Sequence, residues 1–147
     1  MGQVFLNRKR SEWGYTLLEL LLVLAILSGA GFMLLLKVSA IYDAQRLEHA
    51  ATLVMEDLRE AKQAAVTENV FYQVAFYANN TYCVKRQDQV VKWVSLPEGV
   101  HFAHIPKPDI IFYAQGTPNM GNRVLLEYRG KLKSVIVSAV GGRIRVE

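Results

Sequence analysis

The sequence predicts an α+β protein: one long N-terminal helix, half uniformly apolar and half amphipathic, packed on a C-terminal antiparallel β domain. Three observations carry this expectation. Residues 15–36 read YTLLELLLVLAILSGAGFMLLL, with Glu19 as their only charge. Residues 37–67 place small and aliphatic side chains at alternating steps of three and four. Beyond Glu68 come short runs of aromatic and β-branched residues divided by turn residues. No Pro or Gly falls between Leu36 and Thr67, so nothing local stops a helix begun near Tyr15.

As a helix, residues 15–36 would extend about 33 Å, enough for a bilayer core. Arg8, Lys9 and Arg10 stand just before the run. The positive-inside rule keeps them cytoplasmic and sends the C-terminal domain outside, with membrane lipid around the apolar half. In the amphipathic half the stripe is Ala44, Leu47, Ala51, Val54, Leu58, Ala61 and Ala65, and Asp43, Arg46, Glu48, Glu56, Arg59 and Glu60 take the other sides. So many alanines predict close approach by a sheet.

In the β region, residues 70–77 and 81–86 flank Ala78-Asn79-Asn80 and read as a hairpin. Residues 89–95 follow, ended by Pro97-Glu98-Gly99. Further strands are predicted over 100–103, 110–113, 124–128, 133–138 and 143–146, with 116–122 as loop.

The chain carries a formal charge of +4. Its basic residues concentrate at two places, Arg8 to Arg10 and the C-terminal set Arg123, Arg129, Lys131, Lys133, Arg143 and Arg145, the latter opposed by Glu127 and Glu147. The single cysteine, Cys83, excludes an intrachain disulfide and reads as a small hydrophobe in a strand. His49, His101 and His104 with one Cys do not make a zinc set. No Walker loop, nucleophile elbow or paired-carboxylate motif is present, so the reading is a non-enzyme without cofactor or metal.

Glu19 is the informative residue. A carboxylate within an apolar run costs about 2–3 kcal/mol near a helix centre and less toward an end, so it calls for a partner or a purpose. A plain anchor gives it neither. A secretory signal peptide cut near Ser28-Gly29-Ala30 is the other reading, and it would release a secreted enzyme or receptor domain.

The string Gly14-Tyr15-Thr16-Leu17-Leu18-Glu19, preceded by the basic run, resembles the class III signal of type IV prepilins. The resemblance implies a pilin-like fold and four parts: a leader at 1–14, a transmembrane half-helix at 15–36, an amphipathic half-helix at 37–67 and a β-rich domain at 68–147. It implies that a prepilin peptidase cuts after Gly14 and that the exposed Tyr15, in place of the commoner Phe, is methylated. Glu19 would then pair with the terminal amine of a neighbouring subunit, two opposite charges meeting where solvent is scarce.

Phe112-Tyr113-Ala114-Gln115-Gly116, Arg123-Val124-Leu125-Leu126 and the closing Gly141-Gly142-Arg143-Ile144-Arg145-Val146 are similar to the GspH/FimT branch of minor pilins and pseudopilins. Pro118-Asn119 followed by Gly121 and the closing string are most similar to ComGD-like competence subunits of Gram-positive bacteria. That implies a minor pseudopilin of a DNA-uptake pseudopilus at the cell surface, with major and other minor pseudopilins as partners; a type II secretion pseudopilin is the alternative. Arg143 and Arg145 alternate in a predicted strand, and Lys131 and Lys133 share their parity. All four are therefore expected on one face suited to the phosphates of double-stranded DNA. The competing reading is a solvated strand face.

Overall fold

The computed structural model describes residues 16–147, with side chains for 16–32 and 42–147. Gly14 and Tyr15 lie outside the described residues. Helix α1 runs over Leu17–Glu68, close to the expected bounds, and the chain divides into two units between Ser39 and Ala40.

In the first unit Thr16 caps the helix. Its hydroxyl accepts from the Glu19 amide at 3.2 Å, and its carbonyl takes the first helical bond, from Leu20, also at 3.2 Å. Leu17, Leu18, Leu20 to Leu24, Ile26, Leu27 and Phe32 are all exposed, so this part of α1 is apolar around its circumference. A Cβ on Gly29 or Gly31 would meet nothing within 4 Å. Among the described residues no helix is long and apolar enough to cross a membrane.

The second unit joins residues 40–68 of α1 to eight strands: β1 Tyr72–Tyr77, β2 Thr81–Arg86, β3 Gln89–Ser95, β4 His101–His104, β5 Ile110–Phe112, β6 Asn122–Tyr128, β7 Lys131–Val137 and β8 Ile144–Val146. They form two antiparallel four-stranded sheets, ordered β3-β2-β1-β5 and β4-β6-β7-β8. The hairpins β1-β2, β2-β3 and β6-β7 are local, but β5 returns to pair with β1 and β4 pairs with β6. The loop after β5 is pinned by Asn119. Its side-chain amide donates to the Asp109 carbonyl at 2.9 Å, and its side-chain oxygen accepts from the Ile111 amide at 3.2 Å.

One core collects Leu47, Ala51, Val54, Leu58, Ala61 and Ala65 of the predicted stripe, together with Tyr82 and Phe112 from one sheet and Val124, Leu126 and Val135 from the other. Ala44 is exposed and Ala50 is buried in its stead. The helix also buries a carboxylate. Asp57 is 3% exposed and accepts from the Tyr82 hydroxyl and from Lys92 Nζ, each at 2.6 Å. This hydrogen bond to Asp57 raises the Lys92 pKa, and burial, reinforced by the carboxylate, raises that of Tyr82. At the helix end Glu68 accepts from Arg86 and from the Tyr72 hydroxyl, and these bonds, the Arg86 one foremost, hold its carboxyl below the usual range.

Cys83 is buried on the outer side of the first sheet, its sulfur 3.5 Å from the Tyr77 hydroxyl. That bond and burial push the Tyr77 phenol up to about 12.

Candidate functional site

The basic C-terminal region is built on the turn from β7 to β8. Gly141 and Gly142 both take positive φ, 70° and 57°, a conformation that side-chain-bearing residues adopt at a cost. Gly142 also sits where a Cβ would come within 2.8 Å of the Gly116 carbonyl oxygen. Two helix cations fasten the turn. Lys62 Nζ donates to the carbonyls of Gly141 at 2.9 Å and Gly142 at 3.1 Å, and Arg59 donates to the Ile144 carbonyl at 3.2 Å. The β8 backbone pairs with β7, Ile136 opposite Arg145 and Val137 opposite Ile144, and Ser138 donates to the Arg143 carbonyl at 2.9 Å.

Val135, Val137 and Ile144 are buried, so they define the inner face. Arg145, beside Ile136, stands on the outer face, and Arg143 stands with it. Both arginines, with Ile136, Ser138 and Val140, line one surface cavity of about 250 Å³. Arg145 is ion-paired with Glu147 at 2.8 Å. Arg143 makes no salt bridge among the described residues.

The two lysines are not on this face. Lys131 and Lys133 stand opposite Tyr128 and Leu126, which are buried, so they share the inner parity of Val135 and Val137. Lys133 is ion-paired with Glu48 of α1. The expected four-residue basic face therefore reduces to Arg143 and Arg145. The register explains the difference: an odd-numbered residue of β8 pairs with an even-numbered residue of β7, so equal parity on the two strands means opposite faces.

For the N-terminal site, only Glu19 falls among the described residues. It is exposed at the third helical position after the Thr16 cap. Thr16-Leu17-Leu18-Glu19 is the Thr-x-x-Glu pattern of a capping box, and a carboxylate in the first helical turn is favoured by the helix dipole. Thr16 thus adds a helix cap that is legible in the Thr-x-x-Glu spacing itself. His101 and His104 are both exposed on β4, with His101 opposite Glu127. Among the described residues no cluster of three or more His, Cys, Asp or Glu could hold a metal ion.

A long N-terminal helix whose second half packs on antiparallel sheet defines the pilin fold, and solved structures agree. The minor pseudopilin EpsH from the type 2 secretion system of Vibrio cholerae is similar over 69% of this chain and 96% of its own, with a TM-score of 0.58 and 12% identity. The type IV minor pilin FimU of Pseudomonas aeruginosa is similar over 73% of this chain and 92% of its own, with a TM-score of 0.59 and 15% identity. A second crystal form of FimU gives a TM-score of 0.57 at 16% identity, over 69% of this chain and 92% of its own. No protein-family model matches the chain, and no curated protein matches it by sequence.

Proposed function

We propose that the chain is a minor pilin-type subunit that a prepilin peptidase cuts after Gly14 and that assembles through its N-terminal helix into a pseudopilus. The observation that carries the reading is a helix apolar on every side, with one carboxylate in its first turn, in a chain of pilin fold. Such a surface must be covered, either by lipid before assembly or by other subunits' helices afterwards. Glu19 serves the second state: near the helix start it can meet a neighbour's terminal amine. Within this reading the pseudopilus is a competence filament, and the outward arginine pair Arg143 and Arg145 touches the phosphates of incoming double-stranded DNA.

Sequencing the N-terminus of the protein recovered from membranes tests the proposal. Tyr15 is the expected first residue. A residue after Ala30 would make it a secreted domain, and Met1 a plain anchor. The likeness to EpsH favours a second reading, a type II secretion pseudopilin. Deleting the gene separates the two, because the competence reading requires loss of transformation with secretion intact.

A further inference from the structure

The outer face of the β4-β6-β7-β8 sheet carries more than the arginine pair. On β6, Val124 and Leu126 are fully buried, so Arg123 points to the other side, where it is exposed. Arg123 pairs with Ile136 on β7, and Ile136 pairs in turn with Arg145 on β8. Three neighbouring strands thus set Arg123, Ile136 and Arg145 in one row on one face. Strand spacing puts the two arginine Cα atoms about 10 Å apart, and Arg143 lies about 7 Å from Arg145 along the chain.

The charges on this face are segregated. Glu127 is about 13 Å along β6 from Arg123, at the end where His101 stands. At the basic end Glu147 is the acid that meets an arginine, Arg145. Arg123, like Arg143, makes no salt bridge among the described residues. Near Ile136 three guanidinium groups therefore gather against one carboxylate, Glu147: Arg143 and Arg145 line the cavity with it and Arg123 is its partner on β6.

We propose that Arg123 is the third phosphate-binding residue of the Arg143–Arg145 site, so that the register of β6, β7 and β8 assembles a three-arginine cradle for the DNA backbone. The inference rests on the DNA-binding reading above. A duplex offers a phosphate charge about every 1.7 Å of its axis, so three long side chains spread over about 10 Å can each reach one. Long, forked guanidinium groups suit phosphate oxygens. Contacts confined to phosphates carry no sequence information, so the site is expected to bind without sequence preference.

The test is anisotropy of a labelled mixed-sequence duplex with the full chain in nonionic detergent, titrated with salt. Wild type should give a log-log slope near −3, about −0.9 for each phosphate contact. Arg123→Gln should lower the slope's magnitude by about 0.9, so a fourfold rise in salt costs three- to fourfold less affinity than in wild type. Arg123→Lys should restore the slope. Glu147→Gln should tighten binding, and Lys133→Gln should leave the slope unchanged. Near-UV circular dichroism of each variant must match wild type; if that of Arg123→Gln does not, Arg123→Ala takes its place, with the same fall of about 0.9 in the slope's magnitude.

If Arg143→Gln and Arg145→Gln weaken binding and Arg123→Gln does not, the inference falls and the DNA reading stands. If Lys133→Gln acts as strongly as Arg123→Gln, overall charge and not this face does the binding, and the inference falls again. Wild-type chain that binds no duplex, or that binds only anionic phosphatidylglycerol vesicles, overturns both.

Discussion

Asp57→Ala should destabilise the second unit by about 2–3 kcal/mol, and the figure follows from what the change leaves behind. Tyr82 is fully buried and would lose the acceptor of its hydroxyl, a penalty of about 1–3 kcal/mol. Lys92 fares better. Its side chain is 43% exposed and can rehydrate, so the ion pair adds at most about 1 kcal/mol once solvent screening is allowed for. The full cost of breaking a wholly buried pair, about 3–5 kcal/mol, does not apply. Thermal melts followed by near-UV circular dichroism should show a fall of about 8–12 °C. Asp57→Asn, which keeps an acceptor for Tyr82, should recover part of it. In a cycle with Tyr82→Phe the two changes should couple by about 1–2 kcal/mol. A shift under 2 °C, or strict additivity with Tyr82→Phe, would show that the helix does not depend on this buried carboxylate.

Other outcomes follow from the same geometry. Glu19→Val should still be processed and inserted yet be missing from sheared filaments; wild-type recovery there would leave the carboxylate only its place in the capped first turn. Gly142→Ala should cost about 2–3 kcal/mol, because positive φ and the Gly116 carbonyl both oppose a Cβ, whereas Gly130→Ala, at φ 76° in open space, should cost about 1 kcal/mol. Equal melting points for the two variants would refute the close contact. Tyr77 and Tyr82 both hold their protons beyond the free phenol value of 10.0. Their contribution is therefore intact below pH 10 and is lost as pH rises above it, for Tyr77 through about 12. Phenolate absorbance should show three tyrosines lagging the rest, Tyr72 being held back as well by burial and its bond to Glu68, and Tyr82→Phe should blunt the alkaline loss of stability.

The helix and the hairpins were legible because their signals are local. The 3.6-residue stripe gave α1 to within two residues, and Asn79-Asn80 between alternating runs gave β1 and β2. Two sheets were not legible, because β5 reaches β1 across a separation that no turn residue marks. Asp57 was unreadable for the same reason, since its partners Tyr82 and Lys92 stand 25 and 35 residues away. Lys131 and Lys133 face the other way because strand parity does not carry across a turn. Parity holds within one strand, while the register between two strands depends on how many residues the Gly141-Gly142 turn consumes. Arg123 was not legible as a site residue, because only pairing through Ile136 brings it beside Arg145.

The tyrosine beside Cys83 on the outer side of the first sheet also meets a tryptophan, and that contact has a practical use. Trp93 is 60% exposed, with its ring centroid 5.4 Å from that of Tyr77. The chain has two tryptophans, and the other, Trp13, lies just before the expected cleavage point. Maturation after Gly14 would thus leave a single indole, fixed above the buried Cys83 and open to water. Tryptophan emission then serves as a built-in optical label. Precursor and product differ by one fluorophore, and in the product every change of colour or iodide quenching reports on this one surface. When a neighbouring molecule covers that surface, the emission should shift to the blue without any dye attached.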